Sequence, residues 1–437
     1  MYAFIIKKNQ KSVHHLILNC LKRPHFKNFQ ELYKKVRRYC NEYRRKAEKR
    51  SRRFKIIRFC IFLSGLSVFA QLYLFQPLLP MVAGHFNTSV GDSSLLVSST
   101  TAGMAAGLFF FAFRADSFPR KGLMVFSLII SAVLTIVSAW IPDLNLLIAI
   151  GVVKGFVISG VSAVALAYLT EEVPLSATAL AISTYLSGNT IGGMSGRISA
   201  TVLAGEFGWR NAVLLLGAES LLLGLIFWKF FPESKFFNPQ KTDYHLKMKQ
   251  MKRLLTDPYM LRLYFTAFLL MGAFVSVYNY LTFRLEAAPF SLNHFFIAFI
   301  FLMYTFGVFG TMITSRLSAR FERTDILKTF VTLMLVGLLL LLSENIFIVI
   351  FGLGLFTLCF FAAHTMASQM TALHAQEGKS SATSVYWLFY YFGSSILGSG
   401  TGYLLYESSW TIFIGMLSAV LIICLILTIR NKSLKID

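Results

Sequence analysis

The chain has 437 residues, of which 56% are hydrophobic and 14% charged, and its formal net charge is +22. An apolar share above about half excludes an ordinary soluble domain. The positive charge does not indicate nucleic-acid binding, because 19 of the 42 Lys and Arg residues lie in one segment, Met1 to Arg58, with three acids.

The first element is a basic amino-terminal extension, residues 1–55. Within residues 29–55, apolar and aromatic side chains recur every three or four positions among Lys and Arg, which is typical of an amphipathic helix lying on anionic lipid. A solvated tail that only sets membrane topology fits the sequence as well. The extension is longer and more basic than the first part of a cleaved signal peptide.

Twelve apolar runs follow, each long enough to cross about 30 Å of hydrocarbon as a helix. The alternating pattern of a membrane β-barrel is missing from the sequence, which leaves helices to satisfy the backbone in lipid. We number these runs spans 1 to 12 and predict them at residues 57–83, 93–113, 122–140, 144–168, 178–203, 210–230, 260–283, 293–315, 326–343, 345–371, 381–405 and 410–429.

One long polar interruption, residues 231–258, divides the spans six and six. It predicts two six-helix halves, residues 56–230 and 259–430, joined by a linker and followed by a short tail, residues 431–437. A shift of about 204 residues aligns the halves and indicates a parallel repeat. The aligned pairs are Arg58 with Arg262, Phe86-Asn87 with Phe290-Ser291, Gly188 with Gly393, Ile191 with Ile396, Gly193 with Gly398, and Trp209 near Trp410.

The basic residues of the short loops predict the orientation. Lys and Arg lie in the loops on the linker's side of the membrane, whereas the opposite loops at residues 84–92, 142–145, 344–345 and 407–409 have none. Because Lys and Arg translocate poorly, we expect both termini in the cytoplasm.

A loop motif between spans 2 and 3 carries a family resemblance. Residues 112–121 read AFRADSFPRK and resemble the G-x-x-x-D-R-x-G-R-K motif of the major facilitator superfamily, with Asp116, Arg120 and Lys121 kept and Pro119 in place of glycine. The second copy, residues 315–324, keeps its basic positions at Arg320 and Arg323 but has alanine at the acidic position. The resemblance implies a cytoplasmic gating clamp at these charged residues.

Longer phrases resemble a bacterial subgroup, the YnfM-like inner-membrane carriers of the drug or sugar efflux type. The phrases are VSAVALAYLTEEVP (161–174), GNTIGGMSGR (188–197), FLLMGAFVSVYNYLTFRL (268–285), FFAAHTMAS (360–368) and FYYFGSSILG (389–398). The resemblance implies twelve helices in two pseudo-symmetric bundles, and a multi-pass carrier of the bacterial inner membrane.

Four ionisable residues interrupt the spans, and charges there are costly enough to be functional candidates. Lys154 in span 4 is a candidate cavity cation, or it pairs with an acid or reaches for the interface. Arg197 in span 5, His364 in span 10 and Glu219 in span 6 are candidates for proton coupling. His364 is equally compatible with a packing role, and Glu219 is expected to pair with Arg197 or to stay protonated.

Amides and tyrosines supply further cavity candidates, because small ligands favour apolar pockets with a few polar groups. Tyr386 and Tyr390 share a helical face of span 11. The set is Gln71, Tyr185, Asn189, Asn279, Tyr386 and Tyr390.

Together these features favour a proton-coupled efflux carrier, an antiporter that acts as a monomer on a small organic solute. Spans 1, 4 and 7 have no interior carboxylate, which favours a neutral or anionic solute over a cation. The five scattered cysteines and the lack of a GxxxxGK[ST] loop predict no metal site, no cofactor and no enzyme activity. A lipid or glycolipid flippase on the same fold, and a non-transporting membrane sensor or scaffold, remain alternatives.

Overall fold

A computed structural model describes residues 51–239, 244–375 and 379–429, and these ranges contain helices as their regular secondary structure. Residues 1–50 and 430–437 lie outside the described part of the chain, and with them most of the predicted amphipathic extension and the whole of the predicted tail.

The helices follow the predicted spans closely. Span 1 is Arg52–Leu72, a 3-10 turn at Gln76–Leu78 and Leu79–Phe86. Span 8 is His294–Ile300, a 3-10 turn at Phe301–Met303 and Tyr304–Leu317. The other spans are Val90–Arg114, Arg120–Ser138, Leu144–Glu172, Leu175–Phe207, Trp209–Phe230, Pro258–Glu286, Arg323–Leu340, Ile346–His374, Lys379–Glu407 and Trp410–Ile429, and the linker contains Tyr244–Thr256.

In the described ranges, nine helices are long and apolar enough to cross a membrane by length and composition. The other three, spans 5, 9 and 11, have 33, 18 and 29 residues and lie where spans were predicted. Large apolar side chains such as Trp140, Leu222 and Phe351 are more than half exposed on the outer surface, as lipid-facing residues are. The all-helical membrane fold is therefore confirmed, and the positions of the helices are consistent with twelve spans in two six-helix halves.

Loop side chains determine where several helices begin. Asp143 accepts a hydrogen bond of 2.8 Å from the Leu146 amide and begins span 4. Asn345 accepts one of 2.9 Å from the Phe347 amide and begins span 10, so this asparagine separates two spans that have almost no loop between them.

Glycines allow equivalent helices to pack closely within each half. A Cβ atom on Gly188 of span 5 would lie within 3.0 Å of the Phe62 carbonyl oxygen of span 1. A Cβ atom on Gly393 of span 11 would lie within 3.0 Å of the Phe268 carbonyl oxygen of span 7. The two contacts occupy corresponding places in the halves, and they show in three dimensions the repeat that the sequence predicted.

The bundle has two ends. We call the end with the linker and the start of span 1 the linker end, and the end with the loop between spans 1 and 2 the far end. Odd-numbered spans run from the linker end to the far end.

Adding a methyl group at either glycine should push two helix backbones apart. We expect Gly188→Ala and Gly393→Ala each to destabilise the protein by about 1 to 3 kcal/mol, as overpacked cores do. Thermal melting of the purified protein in detergent measures the loss.

Gly415→Ala is the matched control, because a Cβ atom on Gly415 of span 12 has no heavy atom within 4 Å. It should melt at the wild-type temperature or slightly above, since alanine favours helix. Equal melting temperatures for all three variants would contradict the packing described here.

Candidate functional site

Span 1 is interrupted inside the bundle. Its first helix ends at Leu72, and helical structure resumes only at Gln76, next to Pro77. Proline cannot donate a backbone hydrogen bond and clashes with the preceding turn, which explains the interruption. Span 8 of the other half is interrupted as well, by the 3-10 turn just before Tyr304. Irregular backbone at membrane depth occurs where it is buried in protein or lines a cavity.

Arg197 of span 5 lies between these two interruptions and is 2% exposed. Its Nε atom donates a hydrogen bond of 2.6 Å to Oε1 of Gln76, and a terminal nitrogen donates to the Gly193 carbonyl. The guanidinium carbon is 4.5 Å from the Tyr73 ring centre and 4.4 Å from that of Tyr304. The charge is thus held between one aromatic ring from each half of the protein.

Gln76 continues this contact into the second half. Its Nε2 atom donates a hydrogen bond of 2.7 Å to Oδ1 of Asn279 in span 7. Nδ2 of Asn279 in turn donates to the Gly398 carbonyl of span 11 at 3.0 Å, and the Tyr280 hydroxyl donates to the same carbonyl at 2.6 Å. A hydrogen-bonded chain therefore runs from Arg197 in one half to span 11 in the other.

Spans 2 and 11 add hydroxyl contacts between the halves. The pairs are Ser94 with Ser399 at 3.0 Å, Ser98 with Ser399 at 2.6 Å, and Thr101 with Ser395 at 2.9 Å. Near the loops, the Tyr403 hydroxyl donates to Oδ1 of Asp92 at 2.8 Å. These residues lie in the portions of spans 2 and 11 nearest the far end, where the halves are in contact.

Lys154 contacts the same interrupted span from the other side. It is 1% exposed, and its Nζ atom donates a hydrogen bond of 3.3 Å to the Gln71 carbonyl in the last turn of the first helix. Its ammonium group is 5.3 Å from the Phe75 ring centre. A cation is favourable beside the carbonyls that end a helix. The Gln71 side chain is itself satisfied by Ser67 and Thr135.

His364 is at the centre of an aromatic cluster in the second half. Its Nδ1 atom is 2.9 Å from the Tyr386 hydroxyl, which also donates to the His364 carbonyl at 3.1 Å. The Tyr390 and Trp387 rings are 4.7 Å and 5.3 Å from the imidazole. His364 is partly exposed, whereas Tyr386 is fully buried. The Tyr386 hydroxyl therefore holds the imidazole ring in place while part of the histidine stays exposed.

An unbroken series of ring contacts connects the histidine to Arg197. It starts at Tyr304, which touches the guanidinium. The ring-centre distances are 4.7 Å from Tyr304 to Tyr278, 4.9 Å from Tyr278 to Phe274, 3.8 Å from Phe274 to Phe360 and 6.0 Å from Phe360 to His364. The structure thus brings Arg197, Asn279, His364, Tyr386 and Tyr390 into one connected region.

Three predicted site residues are not part of these contacts. The Tyr185 hydroxyl donates to Ser162 at 3.3 Å, and the Asn189 side-chain oxygen is buried beside span 1 with no hydrogen-bond partner among the described residues. Glu219 lies on the exposed outer face of span 6. The predicted pair of Glu219 with Arg197 does not form, because span 6 packs against span 3 through Gly217, two positions away and so on another face.

The charged motif at the linker end forms a cluster within the first half. Arg120 donates to Asp116 at 3.0 Å and to Glu171 at 2.8 Å, and Lys121 pairs with Glu233 of the linker at 3.0 Å. The neighbouring Glu172 is fully buried, where it accepts hydrogen bonds from Arg53 and from linker backbone amides.

The second copy of the motif is placed differently. Arg323 is the first residue of span 9, and Arg320 is exposed in the preceding loop. Arg120 bonds to Glu171, which belongs to span 4 and not to the second copy of the motif.

Sequence reasoning missed Gln76, Tyr73 and Tyr304. Pro77 was the available signal for the first two, because a proline inside an apolar run marks a break where polar backbone and side chains need partners. Glu171 and Glu172 were visible in the phrase at 161–174 but were used only for the resemblance. In the described residues, no group of three His, Cys, Asp or Glu side chains could hold a metal ion.

Comparisons with known proteins agree on the family. A profile described as Major Facilitator Superfamily matches residues 60–398. An "Uncharacterized transporter" of Buchnera aphidicola subsp. Schizaphis graminum is 37% identical over 89% of the chain and 93% of the relative. The "Inner membrane transport protein YnfM" of Escherichia coli is 32% identical over 86% of the chain and 90% of that protein.

The fold is also found among solved structures. A bacterial homologue of the human lysosomal transporter Spinster, in an inward-facing and unoccupied conformation, superposes with a TM-score of 0.70 at 14% identity. The match covers 86% of this chain and 94% of that one. The profile spans most of the chain and the two bacterial relatives exceed 30% identity over nearly all of it, so the protein belongs to the Major Facilitator Superfamily of transporters.

Proposed function

We propose that this protein is a secondary active transporter of the bacterial inner membrane, and that it exports a small neutral or anionic organic solute in exchange for protons. Family membership supports transport. The observation that carries the proposal is the polar contact between the halves at the interruption of span 1, because a carrier of two halves needs a central site and a reversible seal beside it.

The basic loops support the orientation in this proposal. With both termini in the cytoplasm, the linker end faces the cytoplasm and the far end faces the periplasm. The halves are then in contact on the periplasmic side through Gln76, Asn279 and the hydroxyl pairs of spans 2 and 11. Export requires this seal to open and the halves to close at the linker end.

His364 is the proposed proton carrier. It is partly exposed, it is held by Tyr386, and ring contacts connect it to Arg197. An imidazole can gain or lose a proton, so a change in its charge can be linked to solute binding. Glu219 faces outward on span 6 and has no part in this arrangement.

The proposal is tested by solute-driven proton movement. Purified protein in liposomes containing a pH-sensitive dye is given benzoate, D-xylose or ethidium, which are an anion, a neutral sugar and a cation. We expect protons to leave the lumen as the anion or the sugar enters, beyond any signal in protein-free liposomes, and no such movement with the cation. Flux with ethidium alone would contradict the charge preference, and no flux with any solute would contradict proton-coupled transport of these classes.

His364→Gln should remove the proton flux, because glutamine keeps a polar side chain but does not titrate. The measurement is the same dye assay, combined with thermal melting to show that the variant is folded. His245→Gln is the matched control, since His245 is exposed on the linker helix, and it should transport normally. Normal flux in His364→Gln would exclude this histidine as the proton carrier.

Lys154→Met should raise the stability of the protein and remove its transport. The ammonium group is buried beside a carbonyl and has no ion pair with a described carboxylate, so an apolar side chain of similar length should raise stability by about 1 to 4 kcal/mol. We expect a higher melting temperature together with loss of solute-driven flux.

Lys229→Met, at the exposed end of span 6, is the control and should change neither property. A lower melting temperature for Lys154→Met would show instead that the lysine holds the fold together.

A further inference from the structure

The Gln76 carboxamide is fully buried at the boundary between the halves. Its oxygen accepts from Arg197 at 2.6 Å and its nitrogen donates to Asn279 at 2.7 Å. The neutral Gln76 side chain therefore lies between Arg197 of the first half and the Asn279 amide of the second half.

The two positive charges at this site have no matching carboxylate among the described residues. Arg197 bonds to an amide, a carbonyl and two tyrosine rings, and Lys154 bonds to a carbonyl beside a phenylalanine ring. Ion pairs do form elsewhere in the described ranges, for example between Arg120 and Glu171, but neither buried cation has one there. Buried charges are normally paired, because the loss of hydration is costly.

Both cations contact the same short stretch of span 1. Lys154 touches Gln71 and Phe75, and Arg197 touches Tyr73 and Gln76. An anion held at this stretch would compensate two positive charges that the protein itself leaves without a carboxylate.

The carboxamide has the planar shape of a carboxylate, and a guanidinium binds planar carboxylates better than neutral amides. The Gln76 carboxamide thus occupies the position on Arg197 that the carboxylate of a bound ligand would take. A carboxylate from outside would compete for the same donors with the advantage of a negative charge.

The walls of the site are aromatic. Tyr73 and Tyr304 approach the guanidinium at 4.5 Å and 4.4 Å, and Tyr278 lies 4.7 Å beyond Tyr304. Flat apolar walls beside a cation suit a ligand that joins an aromatic ring to a carboxylate.

We propose that the transported solute is a small aromatic carboxylate, and that its carboxylate displaces the Gln76 side chain from Arg197. This proposal rests on the transport function proposed above and specifies its substrate class. Displacement removes one of the bonds that orient Gln76 toward Asn279, so occupation of the site weakens the seal between the halves at the far end.

Three probes of equal size test the charge requirement. Benzoate, benzamide and benzamidine carry charges of about −1, 0 and +1 at neutral pH on the same ring. Thermal melting of the full-length protein in nanodiscs should show stabilisation by benzoate alone, because a ligand that binds the folded state raises the melting temperature. Equal shifts with benzamide, or no shift with benzoate, would overturn the proposal.

Cyclohexanecarboxylate tests the aromatic requirement, since it keeps the charge and size of benzoate and loses the flat ring. We expect a clearly smaller shift than with benzoate. Equal shifts with the two carboxylates would overturn the aromatic part of the substrate class.

Gln76→Glu tests the displacement. It places a permanent carboxylate beside Arg197, although its second oxygen can no longer donate to Asn279, so the variant should stay folded and lose its response to benzoate. Gln76→Ala removes the competitor and should keep or strengthen the benzoate response. A full benzoate response in Gln76→Glu would overturn the proposal even if the protein is stable.

Arg197→Gln separates this proposal from the transport function. We expect it to lose the benzoate response. If D-xylose still drove proton flux in this variant, the protein would be a transporter whose substrate does not need Arg197, and only the substrate class would fail. If no solute drives proton flux even in the wild-type protein, the proposed transport function itself is refuted.

Discussion

A short chain of buried hydrogen bonds is the interaction on which the rest of this structure depends. It leads from Arg197 through Gln76 and Asn279 to the Gly398 carbonyl, and so crosses from one six-helix half to the other. The bonds between neutral amides are each worth about 1 kcal/mol net and the bond from the charged arginine about 1.5 to 3 kcal/mol, because the groups exchange one partner for another. The contact is specific enough to align the halves and weak enough to be exchanged for water or a ligand.

The contacts within a half differ in kind from the contacts between halves. Within each half, glycines such as Gly188 and Gly393 let helix backbones approach so closely that a methyl group would not fit. Between the halves, serine and threonine hydroxyls of spans 2 and 11 meet instead. Closely packed helix backbones resist sliding past one another. Hydroxyl groups that separate can form hydrogen bonds with other partners. Movement of each half as a unit, which the proposed transport requires, needs a difference of this kind.

Much of the fold could be predicted from the sequence, because hydrophobic length and loop charge determine where helices cross a membrane. The sequence also predicted that Tyr386 and Tyr390 share a face, and the structure places both beside His364. Gln76 could not be found in this way, since its importance comes from partners in spans 5 and 7, more than 100 residues away along the chain. For Glu219, the cost of a charge in a span suggested a pair with Arg197 or a protonated carboxyl group, and the packing of span 6, which turns the residue outward, excludes the pair.

The reversible seal at the far end can be tested with a disulfide. Ser94→Cys and Ser399→Cys are introduced together into a cysteine-free protein with a protease site in the linker, because the two hydroxyls are 3.0 Å apart. After oxidation and cleavage, the halves should remain joined on a non-reducing gel, and solute-driven flux should stop until a reducing agent is added. Halves that separate, or flux that continues through the cross-link, would contradict a seal that opens during transport.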